Sequence, residues 1–329
     1  MKHIASELGV SVALVSYVLN GKFTNRINVE TANKIKKLAA KYKYTPNLIA
    51  KSLKNSQTFT IGLVVADISN LFYSEIAKFI EIEAHISGYN VIFASAYEDS
   101  NRFESIVNVF LSKQVDGLIL AVPEGANQYL EYVEGSGVPY VVIDREFSTV
   151  DKLKTIGVDN YSASEEVVNH LVENGYRRLG AVALNTNLIH LQKRKAGFMN
   201  TAQHLVGEDN TFIYELAEKD LEAQIDNIIQ KALFRDKVDA LYFFTNRIAM
   251  AALAKLARYD IRIPDELAVV CFDEAHAYNI FRKELTYVKQ PIQQMSKQAV
   301  QIILGNPSTN VSNIFNTELI INESSLRKE

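Results

Sequence analysis

The sequence predicts an α/β protein: a small all-helical head followed by a two-lobed body built on parallel sheets. Three observations carry this. Residues 1–46 show helical periodicities only, whereas from Thr60 short apolar runs alternate with amphipathic helical stripes. The charge divides in the same region. Residues 1–58 hold ten Lys or Arg against Glu7 and Glu30, a net +8, while the rest holds 25 basic and 36 acidic residues, a net −11. Finally, 329 residues exceed one ordinary core and suggest about two domains of ~150 residues plus a small extra module.

The head is built from three short helices. Ile4, Ala5 and Leu8 give the first an apolar face, and Gly9 suits the left-handed residue that stops a helix. Ser11 is placed to N-cap a second helix over Val12–Asn20, which Asn20-Gly21 ends. Val15 and either Val18 or Leu19 must face inward, leaving Val12, Ala13, Ser16, Tyr17 and Asn20 outside. A third helix opens near Asn28, with Ala32, Ile35, Leu38, Ala39 and Tyr42 on one face and lysines on the other. Three helices joined by a tight Gly-containing turn make a helix-turn-helix, whose second helix enters the major groove of DNA. The plainer alternative is a generic helical bundle with a solvated lysine face. A basic head on an acidic body is the electrostatic footprint of a nucleic-acid-binding module.

Residues 47–58 read as a hinge. Asn47 N-caps a short helix over Leu48–Lys54, followed by the polar linker Asn55–Thr58. A helix this short is marginal in water and is ordered only when something holds it. Leu53, flanked by Lys51 and Lys54, has the chemistry of a minor-groove wedge. The expected domains are thus 1–46, 47–58 and 59–329.

In the body, strands are expected at Ile61–Ala66, Asn90–Ala94, Gly117–Val122 and Tyr140–Asp144. A second set is expected at Leu179–Leu184, Phe212–Leu216, Ala240–Phe244 and Leu267–Phe272. Between them run helices such as Phe103–Leu111. Continuous apolar strands alternating with helices mean parallel sheets covered on both faces. Two such runs imply two Rossmann-like lobes with a cleft between them, where ligands bind beyond the carboxyl ends of the strands. Asp67, Asp144, Asn246 and Asp273 lie at such ends.

Several classes are excluded or unsupported. The N-terminus lacks the apolar region of a secretory signal, and no apolar run approaches the ~20 residues that span a bilayer, so no membrane partner is expected. A single cysteine, Cys271, excludes an intramolecular disulfide framework and a multi-cysteine zinc site. A cytoplasmic protein fits. The six histidines form no HxH or HExxH pair, and no GxGxxG, P-loop or GxSxG follows a strand. Neither an enzyme nor a cofactor is expected.

Gly9-Val10-Ser11-x-x-x-Val15-Ser16-x-Val18-Leu19-Asn20-Gly21, then Tyr44-x-Pro46-Asn47-x-x-Ala50-Lys51-Ser52-Leu53, then Thr60-Ile61-Gly62-Leu63 resembles the lac-repressor (LacI/GalR) family of bacterial transcription regulators. Asp67-Ile68-Ser69-Asn70-x-Phe72-Tyr73, Asp144-Arg145, Asp159-Asn160, Arg194-x-x-Gly197-Phe198, Ile263-Pro264-Asp265-Glu266 and Phe272-Asp273 extend the resemblance over nearly the whole chain. It implies a periplasmic-binding-protein-like body. It also implies DNA contacts from Ser11, Val12, Ala13, Ser16, Tyr17 and Asn20 in the head, and from Asn47, Ala50, Lys51 and Leu53 in the hinge. In the cleft it implies effector contacts from Asp144, Arg194, Asn246 and Asp273, with Phe72 and Tyr73 as ligand-facing aromatics or as core residues of the next helix. Structural salt bridges or loop caps are the alternative for the polar four.

Departures from the pattern matter. Tyr17 stands where many relatives carry Arg, removing a bidentate guanine reader and leaving operator preference open. Ala66 and Leu71 replace two usual prolines, Asn246-Arg247 replaces an Asn-Asp pair, and Cys271 replaces a Gly. Relatives have a few residues before the counterpart of His3, so a start upstream of Met1 is an open alternative. The expectation is a cytoplasmic, homodimeric, sequence-specific regulator, a repressor in the first instance, acting on a palindromic DNA operator. A sugar, sugar phosphate or nucleobase-like effector would switch it. The rivals are a sugar-binding protein without specific DNA recognition and a regulator with a vestigial cleft.

Overall fold

The computed structural model describes residues 1–19, 26–44, 57–147, 154–217, 219–275, 277–278, 281, 283–305 and 313–327. The chain divides into two compact units, Met1–Thr58 and Phe59–Glu329. The expected hinge helix over Leu48–Lys54, with Asn47, Ala50, Lys51 and Leu53, lies outside the described residues, as does Asn20.

The first unit contains helices α1 (Lys2–Leu8), α2 (Val12–Leu19) and α3 (Val29–Lys41). Gly9 takes the left-handed conformation at φ 64°, and its N–H bonds back to Ala5 and Ser6 carbonyls, which stops α1. Ser11 Oγ accepts the Leu14 N–H at 3.1 Å and starts α2. Asn28 Oδ1 accepts from Glu30 and Thr31 and starts α3. The core is Ile4, Ala5, Val15, Val18, Ile35 and Ala39, so Val18 rather than Leu19 is the second inward residue of α2. Tyr42, expected on the core face of α3, is instead 40% exposed. Its hydroxyl donates to Glu7 at 2.6 Å, which holds the ring at the edge of the α1–α3 contact rather than in the core.

The second unit runs β1 (Thr60–Val65), α4 (Leu71–Ile86), β2 (Asn90–Ser95), α5 (Ser100–Ser112), β3 (Gly117–Leu120), α6 (Tyr129–Gly135), β4 (Tyr140–Ile143) and β5 (Thr155–Val158). It continues with α7 (Asn160–Glu173), β6 (Leu179–Leu184), α8 (Ile189–Val206), β7 (Thr211–Leu216), α9 (Leu221–Gln230), β8 (Ala240–Phe243), α10 (Asn246–Leu256), β9 (Ala268–Phe272) and β10 (Thr286–Lys289). It closes with α11 (Ile292–Ile303), β11 (Ile314–Phe315) and β12 (Glu318–Ile320). The first sheet has the order β11-β5-β4-β3-β1-β2, parallel throughout. The second has the order β12-β10-β9-β8-β6-β7, parallel except for β12.

The eight expected strands are present, Leu179–Leu184 with the expected bounds and the others with ends shifted by at most two residues. Sequence periodicity missed β5, β10, β11 and β12. These are two to four residues long, too short for an alternation to register. Their consequence is topological: the lobes are not consecutive in the chain. After β5 the chain enters the second lobe through α7. It returns after β10 so that α11 covers the first sheet with Met295, Ala299, Val300 and Ile303, and β11 joins that sheet's edge before β12 crosses back. Three strands of backbone therefore connect the lobes.

Side-chain caps set where the helices begin. Asn70 caps α4, Asp99 caps α5, Asp159 caps α7 and Thr245 caps α10, each accepting an otherwise orphaned N–H. Because every one of these helices follows a parallel strand, the caps lie at the carboxyl edges of the sheets. Polar side chains are thereby gathered on one side of an otherwise apolar interior.

Candidate functional site

On the head, the outer face of α2 carries the residues that sequence periodicity assigned there. Ser11, Val12, Ala13 and Tyr17 are exposed and Ser16 is half-buried, while Val15 and Val18 anchor the opposite face. Lys34, Lys36, Lys37, Lys41 and Lys43 are exposed on and after α3. An uncharged stripe of small, hydroxyl-bearing and aromatic side chains beside a field of lysines suits base edges and phosphates respectively.

On the body, a cleft of about 1230 Å³ opens at the carboxyl ends of both sheets. Phe72, Tyr73, Asp144, Arg194, Asn246 and Asp273 all line it, as does Asp67. Asp144 and Asp273 occupy matching places in the two lobes. Each directly follows a central strand, β4 or β9, and each takes the left-handed region, at φ 73° and 68°. Their N–H groups continue the sheet by bonding to Ile156 and Val288 carbonyls. A non-glycine residue holds such a conformation at a cost, and such costs gather at functional sites.

The carboxylates are buried but supported. Tyr73 donates its hydroxyl to Asp144 Oδ2 at 2.8 Å, and Gln290 donates Nε2 to Asp273 Oδ1 at 2.6 Å. Burial pushes the Asp144 carboxyl above its usual range, opposed by Arg145 and Arg194. Burial likewise pushes Asp273 up to about 6, opposed by Arg194 and the Gln290 hydrogen bond. Arg194 donates Nε to Asn160 at 2.7 Å and Nη1 to the Phe244 carbonyl at 2.7 Å, with its guanidinium 3.3 Å from the Phe272 ring centroid. It is thus a fixed cation on an aromatic face rather than a mobile one.

Phe72 and Tyr73 are core residues of α4 that also line the cleft. They are 5% and 4% exposed and pack edge-to-face at 5.1 Å. Asn246 bridges the lobes through a hydrogen bond to Asn70. Further bridges lie nearby: Glu124 accepts from Thr186 Oγ1 at 2.6 Å and Asn187 N at 3.0 Å, and Lys193 pairs with Glu146.

Three lining residues were missed. Arg145 is 4% exposed and joins four strand-end segments, bonding Glu98 in bidentate fashion, the Val122 carbonyl and the Tyr73 hydroxyl. Its position beside Asp144 was the available signal. His190 precedes Arg194 by four residues on α8, hence on the same face, and that spacing was legible. Burial, with Arg194 and Arg145 beside it, holds its imidazole well below its usual pKa and therefore neutral. Gln290 was invisible because β10, which it follows, was not recognised.

Among the described residues no three His, Cys, Asp or Glu side chains are grouped to hold a metal ion. No single described helix is long and apolar enough to cross a membrane.

Comparison with known proteins identifies both units. Residues 1–47 match the family described as "Bacterial regulatory proteins, lacI family", and residues 168–325 match "Periplasmic binding protein-like domain". The chain is 31% identical to the HTH-type transcriptional regulator RegA of Clostridium acetobutylicum, over 92% of its length and 91% of the relative. It is 26% identical to the HTH-type transcriptional repressor CytR of Escherichia coli, over 98% and 95%. Among solved structures, it shares the fold of the lac repressor dimer bound to operator and the anti-inducer ONPF, with a TM-score of 0.83, 20% identity and 98% of each chain covered. A helix-turn-helix with an uncharged outward face, a two-lobed cleft at paired strand ends and these relatives agree: the chain belongs to the lacI family of bacterial regulatory proteins and is a DNA-binding regulator of transcription rather than an enzyme.

Proposed function

We propose that this regulator binds a palindromic operator in the bacterial cytoplasm as a homodimer and that a small metabolite in the body cleft sets its DNA affinity. The observation that carries this reading is the convergence of Asp144, Arg194, Asn246 and Asp273, drawn from both lobes, on one cleft whose walls are joined by only three backbone crossings. A ligand bonded to both lobes favours their closed arrangement by its differential affinity, and that difference is available to change DNA binding.

In this reading residues 1–46 read the major groove, residues 47–58 form the hinge, and residues 59–329 bind effector and dimerise. Ser11, Val12, Ala13, Ser16, Tyr17 and Asn20 meet bases or their flanking phosphates. Asn47 and the lysines meet phosphates, each neutralised phosphate adding about −0.9 to the log–log salt slope. Ala50 and Lys51 pack the hinge helix against the minor groove, and Leu53 wedges the operator centre. One helix-turn-helix reads few base pairs, so a two-fold dimer on a palindrome supplies the specificity. A sugar, sugar phosphate or nucleobase suits oriented polar groups beside the Phe72 and Tyr73 rings.

The test is to sequence genomic fragments retained by the purified protein at near-physiological salt. An enriched pseudo-palindrome with a flexible central step supports the reading. Retention without sequence enrichment, lost as salt rises, overturns it.

A further inference from the structure

The polar atoms left unpaired on the cleft floor define the metabolite's hydrogen-bonding character, given the reading above that the cleft holds one. Gln290 is 5% exposed, and its Nε2 donates to Asp273. A carboxylate oxygen can only accept, so this bond fixes the amide orientation and leaves Oε1, an acceptor, buried with no partner among the described residues. His190 is 6% exposed, and its Nδ1 is likewise buried and unpartnered. Asp144 and Asp273 each engage one oxygen internally, with Tyr73 and Gln290, and the second oxygen of each makes no hydrogen bond among the described residues.

On the floor Arg145 is committed, and Arg194 keeps only Nη2 without a hydrogen-bond partner among the described residues. Arg145 spends its guanidinium on Glu98, Val122 and Tyr73, and Arg194 faces both aspartates while bonding Asn160 and Phe244. The floor therefore holds three carboxylates, Glu98, Asp144 and Asp273, against two guanidiniums. Farther out, Arg247, Lys255 and Arg258 lie along α10. The same lining sets Asp67, Glu124, Asp220 and Glu222 against them. The unpaired Gln290 acceptor in a field of net negative sign calls for a hydrogen-bond donor and disfavours an added anion, while the neutral His190 offers Nδ1 as donor or acceptor according to its tautomer.

We propose that the cleft selects an uncharged or cationic metabolite rich in hydroxyl or amine donors and rejects its phosphorylated or carboxylated counterpart, with Gln290 Oε1 and His190 Nδ1 as the atoms that read it. Among free sugars, nucleosides, amino sugars and sugar phosphates, the last are excluded. The specificity arises because a hydroxyl satisfies a buried acceptor, whereas a phosphate dianion brings acceptors to acceptors.

The test uses the full chain and a bacterial metabolite extract split by anion exchange into an unretained fraction, neutral and cationic, and a retained anionic fraction. Thermal stabilisation by the unretained fraction alone is the expected result. The compound identified from it binds at least about tenfold more tightly than its phosphate ester, and His190→Leu weakens it at least about fivefold. Stabilisation confined to the retained fraction overturns this selectivity while leaving the effector reading intact. Stabilisation by neither fraction overturns the effector reading itself. Undiminished affinity in both His190→Leu and Gln290→Met removes these two atoms from recognition and overturns their assignment.

Discussion

Asn246 donates its side-chain Nδ2 to Asn70 Oδ1 at 2.9 Å, and that same oxygen accepts the Phe72 N–H that starts α4. One amide oxygen thus caps a helix of the first lobe and receives a side chain from the first residue of α10 in the second. Closure of the cleft and order at the start of α4 share an atom.

Substituting the two asparagines separates these roles. Asn246→Ala removes only the bridge and is expected to cost less than about 1 kcal/mol, with a larger radius of gyration by small-angle scattering. Asn70→Ala removes the bridge and the cap and should cost about 1–2 kcal/mol in urea unfolding. Equal costs would show that the cap and the bridge are not distinct.

Helices α7 and α8 touch at Gly197, where an added Cβ would overlap the Tyr161 carbonyl. That neighbour is backbone and cannot swing aside, so Gly197→Ala must push the helices apart. The expected cost is about 2–3 kcal/mol by denaturant unfolding, and ligand affinity falls as well because Arg194 sits one turn earlier on α8. Wild-type stability in this variant would refute the close packing.

Asp273 links stability to pH. Its folded-state pKa, raised by burial to about 6, lies above the ordinary carboxylate value of 3.8. Below pH 3.8 both states hold the proton and no penalty exists. Between 3.8 and 6 the unfolded chain releases it while the folded chain keeps it, so the contribution of this residue to stability falls as pH rises. Above 6 the loss is complete, at about 3 kcal/mol. Relative to wild type, Asp273→Asn should therefore gain stability between pH 4.5 and 7 in thermal unfolding. Parallel curves for the two proteins would contradict the buried-acid assignment.

On the head, Ser11→Ala removes the α2 cap and should destabilise this helix by about 1 kcal/mol. Operator affinity should drop modestly while its salt slope stays unchanged, because a neutral hydroxyl neutralises no phosphate charge. Wild-type stability of the head in this variant would contradict the cap.

Much of this organisation was legible from residue pattern. The helical head, its Gly9 stop and Ser11 start, the eight long strands and the strand-end residues Asp67, Asp144, Asn246 and Asp273 rest on local signals: a cap, a stripe, a polar residue ending an apolar run. Phe72, Tyr73 and Arg194 came from the family resemblance. What escaped is non-local. Nothing in Ile314-Phe315 announces that this dipeptide pairs with β5, some 160 residues earlier, and so nothing announced three crossings between lobes. Gln290 escaped with β10. Tyr42 was misplaced because its ring follows the apolar stripe of α3, whereas its hydroxyl needs Glu7, a partner on another helix.

Coupling between the cleft and DNA is what a metabolite-responsive regulator requires, and one titration measures it. Fluorescence anisotropy of a selected genomic fragment against the full chain, with and without the compound that stabilises the protein, measures the coupling factor directly. The predicted result is a change in Kd of at least about fivefold in wild type, abolished in Arg194→Met. A compound that stabilises the protein yet leaves Kd for the fragment unchanged would contradict it.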